Sequence, residues 1–268
     1  MVVAFTDGIS GQLGTTVHTA LLALWTAYME KKDTLVMSVQ PGRRDLEIYL
    51  AGLQNGHGGR WEGGNGIEAL RKLVRAGLAD RDGVKECVTE FGKHLDLLPG
   101  QFYDTDRRTL RDYRESLCDM LYELERQYGY VFCDVGDEEG ELADIVTKKA
   151  DLIVRNIGQD TKNLPECFQE SQNRYKDIPV FYLIGCYDDQ SKYNIHNLRH
   201  CYRQLSAANS ACLPYCTEIR DACLDGKLFA VFGRWRAGRA AAPLSAFFEK
   251  LGIAAGKLWA LGKAGGRG

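Results

Sequence analysis

The stretch Val2-Val3-Ala4-Phe5-Thr6-Asp7-Gly8-Ile9-Ser10-Gly11-Gln12-Leu13-Gly14-Thr15-Thr16 decides how this chain is read. Four apolar residues in a row, without polar alternation, describe a strand buried on both faces. The glycine-bearing turn then opens into a long apolar run that predicts a helix near 15–30. Such a loop lets backbone N–H groups converge, and the helix N-terminus adds a dipole that favours anions. Thr16 stands where a hydroxyl can ligate a phosphate-bound Mg²⁺. The plainer alternative is a tight strand-to-helix turn with no ligand. The pattern G-x4-G-K-[ST] is not matched, and no lysine occurs between residues 1 and 30.

Outward from this loop, short β-type runs alternate with longer helical ones. Strands are predicted near 2–5, 34–39, 95–98, 130–134, 152–157, 179–185 and 211–214. Helices are predicted near 15–30, 66–77, 82–92, 106–127, 138–149, 161–174, 193–205 and 218–224. Tyr130-Val131-Phe132-Cys133 and Val180-Phe181-Tyr182-Leu183-Ile184 are continuous apolar runs, as expected of doubly covered strands. This alternation predicts an α/β fold: a largely parallel sheet of about seven strands with helices on both faces. Ligands on such sheets bind at the carboxyl ends of the strands.

The 268 residues are 45% hydrophobic and 26% charged, ordinary for a folded domain and unlike a disordered chain. A formal net charge of −2 gives no basic field for nucleic acid. The nine cysteines form no CxxC pair, which argues against a disulfide framework or zinc ribbon and for a reduced, cytoplasmic setting. No basic leader precedes Val2-Val3-Ala4-Phe5, so no secretory signal is expected. The nearly apolar stretch Ala20 to Met29 is too short to span a bilayer.

Three further strand ends extend the pattern. Leu35 to Gly42 reads LVMSVQPG, Tyr128 to Gly136 reads YGYVFCDVG, and Ala150 to Asn156 reads ADLIVRN. With Ser10 to Val17 (SGQLGTTV) and Leu95 to Gly100 (LDLLPG), their order and spacing resemble the ParA/MinD superfamily of P-loop proteins with a deviant Walker A loop. Within it, the chain is most similar to the CpaE/TadZ-like pilus-assembly and localisation branch. The resemblance runs from about residue 2 to 232. It implies a P-loop NTPase-like domain over 1–232 that binds ATP with Mg²⁺ through Gly11, Gln12, Leu13, Gly14, Thr15 and Thr16. It also implies that Thr16 and Asp134 face the metal, and that Pro214 and Tyr215, near Ile184 to Asp188, form the base-binding wall. A face-to-face homodimer and a role in positioning or assembling a larger machine, such as a pilus or secretion apparatus, follow from the same resemblance.

The departures from the family loop KGGxGKTT are specific. Ser10 replaces its signature lysine and Thr15 the general P-loop lysine, while Ser38 and Gln40 replace the acidic residues of the strand-two motif DxDPQ. Phosphoryl transfer needs developing charge neutralised, and removing one such group typically slows it by about two to three decades. Weak hydrolysis, or none, is therefore expected, with Asp134 the remaining catalytic candidate. Two alternatives stand beside the ATP switch: a scaffold with the same fold that binds no nucleotide, and a DNA-partitioning ATPase.

The other segments have plainer readings. Arg43 and Arg44 read as a solvated turn, and His196 and His200 as an exposed helix face without a third metal ligand. Residues 52–66 hold seven glycines and read as a loop, with Trp61 its one aromatic residue. Residues 233–268 carry seven basic residues against Glu249, a formal +6 that leaves −8 for the rest. There Leu244, Phe247, Phe248, Leu251, Ala255, Leu258 and Trp259 form one helical stripe. A basic amphipathic C-terminal helix with a flexible tail is expected, packed on the sheet, on a partner, or on a membrane surface through 244–261.

Overall fold

The computed structural model describes residues 1–7, 14–40, 43–52, 66–100, 107–136 and 140–265. Its elements in chain order are β1 (Val2–Asp7), α1 (Thr15–Tyr28), β2 (Thr34–Ser38), α2 (Asp45–Ala51), α3 (Gly66–Ala76), α4 (Arg81–Cys87), β3 (Thr89–Phe91), β4 (Leu95–Leu98), α5 (Arg107–Gln127) and β5 (Tyr130–Gly136). They continue with α6 (Glu141–Lys149), β6 (Leu152–Ile157), α7 (Leu164–Arg174), β7 (Val180–Tyr187), α8 (Ile195–Cys201), β8 (Ser210–Pro214), α9 (Thr217–Leu224), α10 (Leu228–Arg236) and α11 (Ala242–Gly265). One eight-stranded sheet runs β3-β4-β2-β5-β1-β6-β7-β8, parallel except for the β3–β4 pair.

Alternation along each strand sends its side chains into two cores. Val3 and Phe5 of β1, Val36 of β2 and Phe132 of β5 pack with α1, α9, α10 and α11 on one face. Val2, Ala4, Leu35, Met37, Val131 and Cys133 pack with α3, α5 and α6 on the other. A third cluster joins β6 and β7 to α7 and α8 through Phe168, Tyr182 and Leu198. Cover on both faces is why the continuous apolar runs are strands and not buried helices.

Three expectations change. The sheet has eight strands, because Thr89–Phe91 leaves the helix expected over 82–92 and pairs antiparallel with β4. Helix α4 ends at Cys87, and Val88 turns extended (φ −107°, ψ 162°). Helices α2 and α10 were not expected. Helix α10 crosses residue 232, and its Phe232 and Trp235 join the cluster with Trp25 and Phe248.

The third change concerns the C-terminal stripe. Leu244, Phe247, Phe248, Leu251, Ala255, Leu258 and Trp259 are all buried in the core that also contains Val3 and Phe132. Trp259 stacks on Phe132 at 5.7 Å. The apolar face that a membrane-bound helix over 244–261 needs is thus covered by the sheet, which corrects the membrane reading in favour of packing. Among the described residues, no helix is long and apolar enough to cross a membrane.

Candidate functional site

Strands β5, β1 and β2 bring their carboxyl ends together beside the start of α1. Asp134 of β5 pairs in register with Phe5 of β1 and with Ser38 of β2. Gly14 caps α1 in the left-handed region (φ 76°) without a side-chain cap, which a residue with a Cβ adopts only under strain. Thr15 is buried, and its hydroxyl donates to the Asp7 carboxylate at the end of β1. The candidates Gly11, Gln12 and Leu13 lie outside the described residues, as do Ser10, Trp61 and the Pro41-Gly42 pair.

Asp134 is 1% exposed, and among the described residues neither of its carboxylate oxygens has a hydrogen-bond partner. Burial pushes its pKa up to about 7. The neighbouring Thr16 hydroxyl and Gln40 amide oppose that rise without reaching hydrogen-bond geometry, while the charges of Asp7 and Asp45 add to it. A buried carboxylate with both oxygens free is the donor set a hard divalent cation takes, and Thr16 adds a hydroxyl oxygen beside it. These residues fit Mg²⁺.

Three neighbours complete the site: His18 and Asp7, to which the sequence reading gave no role, and Gln40, which it read only as a replaced acid. Gln40 packs against Gly136 (φ 68°) so closely that a Cβ there would fall 2.4 Å from its side chain. His18, one turn into α1, bonds the Asn156 Oδ1 through Nδ1 at 2.7 Å, and the Asn156 amide donates to the Thr6 carbonyl. Because that amide oxygen can only accept, the imidazole Nδ1 carries the proton. Burial lowers the His18 pKa to about 4, so the ring is neutral near pH 7. Asp7, bonded to Thr15, places a carboxylate at the loop where the resemblance has a lysine. A lone histidine in an otherwise apolar helix was the one local hint of this arrangement.

Pro214 and Tyr215 stand at the same carboxyl edge but three strands from β1. Tyr215 is 52% exposed, and its hydroxyl accepts from Arg220 at 3.2 Å. The structure therefore unites Gly14, Thr15, Thr16 and Asp134, with Pro214 and Tyr215 farther along the rim. Cys186 at the end of β7 is exposed and left-handed (φ 47°). Among the described residues, the Arg43 side chain forms an ion pair only with nearby Asp45, at 4.0 Å, as a solvated turn does. His196 and His200 are exposed on α8. Among the described residues, no group of three or more His, Cys, Asp or Glu could hold a metal. None of the nine cysteines, all of them described residues, is in a disulfide.

No protein-family model matches the sequence, and no curated protein matches it. Solved structures do. A ParA family ATPase from Chlorobium tepidum TLS superposes with a TM-score of 0.71 at 16% identity, over 96% of this chain and 98% of that one. The fold is that of the ParA and MinD ATPases. The cell division ATPase MinD of Pyrococcus furiosus gives a TM-score of 0.68 at 15% identity, covering 97% of this chain and 98% of that one. The septum site-determining protein MinD of Pyrococcus horikoshii OT3, complexed with Mg-ADP, gives 0.64 at 14% identity with both chains fully covered. Identities this low carry the ParA/MinD fold and leave the chemistry to the residues above.

Proposed function

We propose that this chain is a ParA/MinD-like switch that binds Mg²⁺-ATP at the β1–α1 loop, hydrolyses it weakly or not at all, and acts in positioning or assembling a larger machine. The observation that carries this reading is Asp134: a buried carboxylate without a partner is costly unless a ligand claims it. Asp134 and Thr16 would hold Mg²⁺, and the backbone from Gly14 into α1 would face the phosphates. Bound Mg²⁺-ATP supplies the charge whose arrival biases the two states of the switch. A face-to-face homodimer, a protein partner and a pilus or secretion apparatus as cargo are the parts of this reading that rest on resemblance.

The hydrolytic side is weak for a physical reason. No lysine occurs before Lys31, Thr15 spends its hydroxyl on Asp7, and Gln40 occupies the neighbourhood of Asp134 without a carboxylate. Nothing among these side chains neutralises charge growing between the β- and γ-phosphates. The same facts support a second reading, a scaffold with this fold that binds no nucleotide, since Asp7 and Asp134 both repel phosphate. Calorimetric titration with ATP and Mg²⁺ decides between them. Saturable Mg²⁺-dependent heat that vanishes in Asp134→Ala supports the switch. Absence of heat at millimolar ATP, or affinity unchanged in Asp134→Ala, removes it.

A further inference from the structure

The far edge of the sheet holds a second polar arrangement, apart from the β1–α1 loop. Strand β8 pairs only with β7, so its other side is an open edge. Arg199 of α8 reaches across that edge and is fixed there by three hydrogen bonds to Ser210: Nε to Oγ at 3.1 Å, Nη2 to Oγ at 3.0 Å and Nη2 to the carbonyl oxygen at 3.0 Å. Lys257 of α11 donates from Nζ to the same carbonyl oxygen at 3.3 Å. Two cations thus converge on one acceptor of a fully buried residue. Lys250, two turns earlier on α11, adds its field, since Arg199, Lys257 and Lys250 all act on the Cys212 thiol two residues along the strand.

Elsewhere cations close to one another share a carboxylate: Arg71 and Arg75 both pair with Asp112. Among the described residues no carboxylate forms an ion pair with Arg199, Lys250 or Lys257. Burial and the Arg199 charge both lower the Lys257 pKa, the mark of a cation held against a like charge. Charged side chains commonly blunt an open sheet edge, and solvated lysines suffice for that. Blunting does not account for two cations directed at a single carbonyl oxygen.

We infer that Arg199 and Lys257 form the jaws of an oxyanion site at the β8 edge, with Lys250 as flanking charge, and that its ligand is phosphate, either free or carried on a lipid headgroup. The planar guanidinium is held in place by Ser210, which leaves its remaining N–H groups a defined geometry for tetrahedral oxygens. An anion between the jaws removes the like-charge repulsion that the bare site carries.

The test is calorimetric titration of the full chain with inorganic phosphate. The expected result is saturable binding, weakened at least tenfold in Lys257→Gln and in Arg199→Gln, restored toward the parent value in Lys257→Arg, and kept in Gly14→Val, which strains the β1–α1 loop. Arg199→Gln also loses the Ser210 bonds. The half-buried Lys257, which makes one long bond, therefore carries the test if that variant does not fold. Cosedimentation with phosphatidylglycerol vesicles, against phosphatidylcholine vesicles, distinguishes the source. Sedimentation that requires Lys257 and is displaced by phosphate assigns a headgroup, whereas phosphate binding without sedimentation assigns the free ion. No phosphate binding, or binding lost in Gly14→Val and kept in both edge variants, overturns the inference.

Discussion

Asp96 and Asp134 are both aspartates of this sheet, 4% and 1% exposed, yet they are treated in opposite ways. Asp96 sits in β4, where Oδ2 accepts from the Tyr128 hydroxyl at 2.6 Å and from Lys85 Nζ at 2.8 Å. Asp134, in β5, ends at the carboxyl edge beside Thr16 with neither oxygen bonded among the described residues. The first is a carboxylate whose burial cost is met inside the fold. The second is met by no hydrogen bond among the described residues. It is also the one residue among the described residues whose two carboxylate oxygens are both buried and unpartnered. One sheet thus separates an acid paired inside the fold from an acid with neither oxygen bonded among the described residues.

The largest expected effect breaks the structural side of this pair. Asp96→Ala leaves Lys85 and Tyr128 without their common acceptor and should lower stability by about 3 kcal/mol in urea titration. A loss under about 1 kcal/mol would mean that water already satisfies these groups. Asp134→Asn should act in the other direction. With EDTA present at pH 8 it removes an uncompensated buried charge and should raise stability by about 2 kcal/mol. Any destabilisation there would show that Asp134 already has an internal counterpart, and the contrast with Asp96 would fall.

Much of this was legible in the sequence, and the part that was not has a common cause. Doubly covered strands print continuous apolar runs, so seven strands could be read directly, and Asp134 was singled out through the resemblance of its strand to the family pattern. Strand β3 could not be read, because Thr89-Glu90-Phe91 is three residues long and only partly buried. The stripe from Leu244 to Trp259 has the same periodicity whether it faces a sheet or a bilayer, and only its packing on the apolar face of β1, β5 and β8 settles which. Asp7 and His18 were silent, and Gln40 showed only as a replaced acid, because their meaning lies in adjacency. His18 matters through Asn156, 138 residues away, which register places beside Asp7. Arg199 and Lys257 meet only at Ser210.

The two sides can be sharpened by pH. Asp134 has its folded pKa raised from 3.8 to about 7, so its contribution is fully present below about pH 4 and is lost as pH rises through 7. His18 has its folded pKa lowered from 6.5 to about 4, so its contribution is present above 6.5 and is lost as pH falls through 4. The two slopes oppose each other in the same window, each at most about 1.4 kcal/mol per pH unit. In metal-free buffer the parent should therefore show a flattened profile between pH 4 and 7. Asp134→Asn should uncover stability that rises with pH, and His18→Gln stability that falls with it. Parallel profiles in parent and variants would remove both assignments.

The smallest expected effect isolates one hydrogen bond of the structural acid. Tyr128→Phe deletes the donor to Asp96 and keeps the ring in its core cluster. Burial and the Asp96 bond both raise the Tyr128 pKa, so the hydroxyl is a firm donor at every pH at which the fold is studied. Its loss should cost about 1 kcal/mol, since Lys85 still holds the carboxylate. A double cycle with Lys85→Met turns this into a measure of how completely Asp96 is satisfied. If either donor alone suffices, the double variant loses more than the two single losses together, because only then is a buried carboxylate left as bare as Asp134. Strict additivity would mean that each donor holds its share of the charge independently, and that Asp96 keeps no spare acceptor capacity to set against the orphaned oxygens of Asp134.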